Sequence, residues 1–290
     1  MDNLVQLGPD DIPALERFLR QRLEHSMFLL SALRAHGIVD RGQPFQGTYV
    51  GARRGDELVG VVVHYRRGNL ALNAPTHASE LSTRATELSG RPVAGAVGPE
   101  AQVDAVESAL GLGPPGRGVQ MDERETLYRL DLAGLVEPAA LREGTVRGRA
   151  FAAEDLETMV AWTVRYRVES AGDPDDAALR RRVEDTLASE VGDGHWLLEK
   201  DGELVAKTAF NARLPDAVQI GGVWTPHANR GRGYARCVLA SHLQWVRRQG
   251  VATAILFTGD GNLPARRAYD ALGFRPVGRY RVLILRAPSS

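Results

Sequence analysis

The stretch Val223-Trp-Thr-Pro-His-Ala-Asn-Arg-Gly-Arg-Gly-Tyr-Ala-Arg-Cys-Val238 decides the reading of this chain. Its first residues end an apolar strand over 217–224, its middle is a basic, Gly-rich loop, and its end starts an amphipathic helix. Ala235, Val238, Leu239, His242 and Val246 recur at helical spacing on one face. Gly231 and Gly233 let the backbone turn sharply and bring its N–H groups close to a ligand. Those groups lie at the positive end of a helix dipole, a combination that suits phosphate or diphosphate. Arg236 occupies the third glycine position of a dinucleotide fingerprint, and no GK[ST] follows, so neither of those nucleotide loops is present.

The segment Phe257-Thr-Gly-Asp-Gly-Asn262 leaves a second strand, and Asn262 is placed to cap a helix beginning Leu263-Pro264. Tyr269 follows Asn262 by almost two helical turns, so both project from one face, and Gly273-Phe274 ends the helix. With these residues in order, the sequence from about Val146 to Leu285 resembles the GNAT superfamily of acyl-CoA-dependent N-acyltransferases. The family's [QR]-x-x-G-x-[GA] motif is matched by Arg230-Gly-Arg-Gly233-Tyr-Ala235. Its N-x-x-A-x-x-x-Y-x-x-x-G-F signature is matched by Asn262, Ala265, Tyr269, Gly273 and Phe274.

The resemblance implies an α/β fold built on a mixed sheet, with acetyl-CoA as cosubstrate and no metal. It implies that the backbone from Gly231 to Ala235 holds the CoA diphosphate and that Val223 and Thr225 bond pantetheine through the main chain. Trp224, Arg230, Arg232, Tyr234, Asn262, Ala265 and Arg266 complete the implied cofactor contacts. Tyr269 falls at the thioester sulfur, where a phenol of pKa near 10 can protonate a departing thiolate. Many family members carry a Glu on the strand before the loop; Gln219 and Ile220 stand there instead. A lysine-like acceptor amine is only about one part in 2,500 neutral at pH 7, so it needs a base or a water relay. Glu169, at the end of the helix carrying Trp162 and Tyr166, is the preferred substitute, against the plainer reading of a solvated glutamate. Tyr166 and Asn211 are the candidate acceptor contacts, Asn211 against the simpler reading of a turn-forming residue before Leu214-Pro215. His227 reads as a surface residue and Cys237 as core.

The remainder of the chain is read against this segment. Its 290 residues suit two domains. The order β-α-α-β-β-β-α-β-α-β occurs twice at a period of about half the chain, a tandem repeat of element order without residue identity. The expected domains are 1–133, a linker 134–144 around Pro138, and 145–290. The first half has Ala74-Pro75-Thr76-His77 where the basic loop would be, and its later helix 100–110 lacks the Asn and Tyr. It is read as a degenerate GNAT-like domain. Glu24, His25 and Ser26 are expected in a turn between its first two helices, with a polar cleft contact as the alternative.

Composition limits the partners. Lys+Arg and Asp+Glu are both 36, so net charge is zero and no basic surplus suggests nucleic acid. A single cysteine excludes an internal disulfide, the seven histidines show no metal spacing, and no apolar run approaches the roughly 20 residues of a membrane span. The N-terminus, acidic and without an apolar core, is not expected to be a signal peptide, and a cytoplasmic location is expected. The leading expectation is acetyl transfer to a primary amine of a small molecule or peptide. The alternatives are mycothiol-synthase-like acetylation of a cysteinyl amine and a non-catalytic acyl-CoA sensor. The sequence leaves monomer and homodimer open.

Overall fold

The computed structural model describes residues 2–113, 118–192 and 194–286. Met1 and the last four residues, at the outer limits of the expected domains, lie outside them. The described chain divides into two units. The first takes the described residues of 1–127, 257–260 and 277–290, and the second those of 128–256 and 261–276.

The first unit opens with β1 (Asn3–Gln6), α1 (Ile12–Arg20) and α2 (Leu23–His36), then β2 (Gly47–Arg54), β3 (Glu57–Tyr65) and β4 (Asn69–Asn73). α3 (Ala78–Ser89), β5 (Gly95–Pro99), α4 (Glu100–Leu110) and β6 (Val119–Asp131) follow. Leu15, Phe18 and Leu19 give α1 its buried stripe at i, i+3 and i+4. Val61, Val62 and Val63 are fully buried on both faces of β3, as an interior strand requires. β1 to β4 pair antiparallel in chain order and β5 joins β4 in parallel. The neighbour of β5 on its other side is the last strand of the chain, β12 (Arg275–Leu285), with Tyr280 opposite Pro99 and Ile284 opposite Gly95. Leu283 and Leu285 are thereby buried among Val62, Leu72, Leu81 and Val103. Glu24, His25 and Ser26 lie in the first turn of α2 rather than in the expected turn, because the reversal is made earlier, at Gln21 and Arg22.

The segment expected as a linker carries the short helix α5 (Ala139–Arg142). The second unit continues with β7 (Arg147–Ala150), α6 (Leu156–Ala171), α7 (Ala177–Ser189), β8 (His195–Lys200), β9 (Glu203–Arg213) and β10 (Ala217–Trp224). α8 (Tyr234–Arg247), β11 (Thr253–Gly259) and α9 (Leu263–Leu272) complete its motif-bearing part. β7 to β10 are antiparallel neighbours, and β11 runs parallel to β10. Its core packs the buried face of α8, with Leu239, Leu243 and Val246, against Val218, Ile220 and Leu256.

In each unit the parallel pair separates after three paired positions. Register runs from Ala217–Thr253 to Gln219–Ile255 in the second unit, and from Asn69–Gly95 to Ala71–Val97 in the first. What fills the opening differs. Residues 225–233 link β10 to α8, whereas only 74–77 link β4 to α3. At the opening of the first unit, the Ala74 N–H donates to Gln102 Oε1 at 2.8 Å. His77 caps α3 in the left-handed region, φ 62°, the place Gly233 takes on α8 with φ 78°. The His77 imidazole lies 3.0 Å from the Asp2 carboxylate. Seven residues past the α4 cap, Pro99, stands buried Val106, where α9 has Tyr269.

Candidate active site

The splayed end of β10 is prepared by Gly221 and Gly222. Register with β9 shifts between Gln219 and Ile220 and again between Gly221 and Trp224, a bulge that re-aims Val223 and Trp224. A side chain at Gly221 would overlap Asn211, and Gly222 has φ 58°. The chain then leaves through Thr225 and Pro226, forms one 3-10 turn at His227–Asn229, and enters α8 through Gly231 and Gly233, both left-handed. The first-turn N–H groups of α8 have no acceptor within the helix, so they point into the opening. Asn262 caps α9 by accepting from the Ala265 N–H at 3.3 Å.

These pieces enclose a cleft of about 890 Å³. Val223 to Thr225 and Asn229 to Arg236 form one wall. Asn262, Ala265, Arg267 and Tyr269 of α9 form a second, and Tyr166, Glu169 and Ser170 of α6 the third. Tyr269 is nearly buried, with its ring edge-on to Tyr128 at 6.0 Å and tilted to Phe274 at the same distance. Two of the expected residues lie elsewhere. Arg266 turns its Nε to the Tyr128 hydroxyl at 3.1 Å, and Arg267, one step on, lines the cleft instead. Asn211 is exposed, with its side chain over Gly221.

Glu169 is heavily engaged. Its Oε2 accepts from Arg230 Nη2 at 2.7 Å and from Trp224 Nε1 at 3.3 Å, and its Oε1 lies 2.9 Å from His227 Nε2. Burial raises its pKa, but the bonds from Arg230, His227 and Trp224 outweigh that and leave it below the ordinary glutamate value. Arg230 also donates from Nε to the Thr225 carbonyl at 3.0 Å. His227 is exposed as expected, yet it belongs to this group. Gln219 is buried with its Nε2 unpartnered, and burial pushes the Cys237 thiol up.

Sequence reasoning overlooked Lys207. It lies on β9 opposite Trp224, is 2 % exposed, and donates to Thr163 Oγ1 at 2.9 Å beside the face of Tyr166. Burial alone pushes its ammonium down to about 8. A lysine within the apolar run Leu204 to Phe210 was the available signal. The polar atoms of the cleft fit a phosphorylated thioester donor. Thr225 Oγ1 and Arg236 Nε are buried without partners, while Arg230, Arg232, Arg236 and Arg267 supply positive charge. Among the described residues no group of three metal-ligating side chains occurs, and no helix is long and apolar enough to cross a membrane.

Residues 156–274 match the Acetyltransferase (GNAT) family, a span that contains every wall of this cleft. That segment, the part of the chain that forms the cleft, is similar to GNAT acetyltransferases. Human N-acetyltransferase 8B is 29 % identical to the chain over 113 residues, which cover 36 % of this chain and 49 % of that protein. The chain thus spans about half the length of the curated relatives it matches. Likeness of fold extends further than the GNAT match. A Drosophila protein structure superposes with TM-score 0.66 at 14 % identity, covering all of both chains. A tandem GNAT protein from the clavulanic acid biosynthesis pathway does so with TM-score 0.52 at 16 % identity, again over all of both. The α/β GNAT fold expected from the motifs is therefore present.

Proposed function

We propose that the protein transfers an acetyl group from acetyl-CoA to a primary amine of a small-molecule or peptide acceptor by direct attack. One observation carries this reading: the glycine turn entering α8 and Tyr269 of α9 open into the same cleft. The N–H groups from Gly231 to Ala235, with Arg230, Arg232 and Tyr234 beside them, hold the diphosphate. Val223 and Thr225 bond pantetheine through the main chain, flanked by Trp224, Asn262 and Ala265. Arg267 takes the cleft-facing place first assigned to Arg266. Acetyl-CoA, when bound, supplies an activated acyl thioester. The acceptor nitrogen bonds to the acyl carbon as the carbon–sulfur bond breaks, and Tyr269 gives its phenolic proton to the departing sulfur. Tyr166 borders the acceptor side, and Glu169 takes the surplus amine proton once its donors let go. Asn211, outside the cleft lining, contributes through the bulge it packs against. The halves 1–133 and 145–290 repeat one order of elements, with the last strand of the second packed in the first unit. Among the described residues of the first half, the opening is bridged by Gln102 where a donor would sit.

Release of free CoA thiol from acetyl-CoA, measured over a panel of primary amines, tests the reaction. Tyr269→Phe is expected to lower kcat by about 100-fold while leaving acetyl-CoA affinity nearly intact. An unchanged rate removes the acid role from Tyr269. Binding of acetyl-CoA without thiol release on any amine, a cysteinyl amine included, favours the sensor instead.

A further inference from the structure

The Glu169 carboxylate does more than border the cleft. It binds three donors that come from different parts of the site: Trp224 at the end of the splayed strand, His227 in the loop, and Arg230 at the entry to the glycine turn. Arg230 is held at both ends of its guanidinium, by Glu169 and by the Thr225 carbonyl. The tie therefore joins the last turn of α6 to the anion-binding loop through the cleft-lining residues themselves. Both partners of the Arg230–Glu169 pair are partly open to solvent, with side-chain exposures of 44 % and 33 %. Such pairs are weak. A diphosphate carries more charge than one carboxylate, can accept the Nη2 donor that Glu169 holds, and gains further from the N-terminus of α8.

We propose that Glu169 is a latch on the cofactor loop: it holds Arg230 until the diphosphate of the acyl donor takes that guanidinium, and only then is Glu169 free for the acceptor. The proposal rests on the acyl-CoA reading above. Until the donor arrives, Glu169 is a positioning residue whose charge competes with the donor, and only after the donor has taken Arg230 can Glu169 accept the amine proton. Trp224 reports the event, because its indole N–H is bonded to Glu169 and its ring lies 5.4 Å from that of Trp162.

The sign of one affinity change decides it. In the full chain, Glu169→Gln should bind acetyl-CoA roughly threefold to fivefold more tightly than wild type by calorimetry. S-acetylpantetheine, which has no diphosphate, should bind both forms equally. Tryptophan fluorescence of wild type should change on adding acetyl-CoA and change less in Glu169→Gln and in Glu169→Ala. Wild-type binding of acetyl-CoA with equal or weaker binding by both variants overturns the latch and leaves the acyl-CoA reading standing. An equal gain for S-acetylpantetheine also overturns the latch. Failure of wild type to bind acetyl-CoA overturns the acyl-CoA reading and the latch with it.

Discussion

Lys207 sits on β9 opposite Trp224 with the Thr163 hydroxyl and the Tyr166 ring for company and, among the described residues, no carboxylate in salt-bridge range. Burial of an ammonium without a counter-charge favours its neutral form, hence a pKa pushed down to about 8. An unfolded lysine titrates near 10.4, so the unfolded chain binds the extra proton between the two values. The penalty on folding is complete below pH 8 and fades as pH rises toward 10. Lys207→Met is expected to stabilise the protein by about 2–3 kcal/mol at pH 7, with the gain gone near pH 10. Urea denaturation at the two pH values measures this, and an equal gain at both would show that the ammonium is not the cause. At this scale the sequence was informative where spacing fixes geometry. The seven-residue step from Asn262 to Tyr269 places both side chains along one helix, and both line the cleft. It was silent on Glu169, whose three donors are 55, 58 and 61 positions away along the chain.

Among the elements, the join of β10 to α8 positions the site. Two devices shape it: the Gly221–Gly222 bulge, and the left-handed Gly231 and Gly233. The second was legible only together with the Asn262 to Tyr269 spacing, since a Gly-x-Gly run before a helix is as often a plain structural turn. The first was available as paired glycines inside a strand pattern but carried no weight without the β9 register. Gly233 has φ 78°, where a β-branched residue is strongly disfavoured. Gly233→Val should therefore cost about 1–2 kcal/mol of stability and weaken acetyl-CoA binding by more than about tenfold. Calorimetric titration gives the affinity, and a wild-type value would mean that the turn does not hold the diphosphate. The first half of β6 shows the opposite case. Asp122 to Glu125 are all charged, yet they form strand: Asp122 pairs with Arg281, and Arg124 with Glu100 and Asp104. Strand ends made of ion pairs have no apolar alternation to detect.

For the whole molecule, the two-fold repeat of element order was visible in the sequence, but the assignment of its final strand was not. β12 ends the repeat that carries the motifs, and its residues from Val277 onward pack in the first unit against β5. Leu283, fully buried there, should cost about 2–5 kcal/mol when cut to alanine. Hydrogen exchange locates the damage. Amides of β2 to β5 in Leu283→Ala should lose protection before those of β8 to β10, and the reverse order would mean that β12 supports the second unit.

By itself, the sequence determined the GNAT class of the second half, the glycine turn, the Asn262 cap and the place of Tyr269. Each depends on neighbours within two helical turns, and local sterics and hydrogen bonding set them. The tertiary structure alone decided which sheet takes β12, where Lys207 is buried, and that Glu169 closes on Arg230. Those outcomes depend on contacts between distant segments, where strand pairing and charge pairing admit many partners and packing selects one.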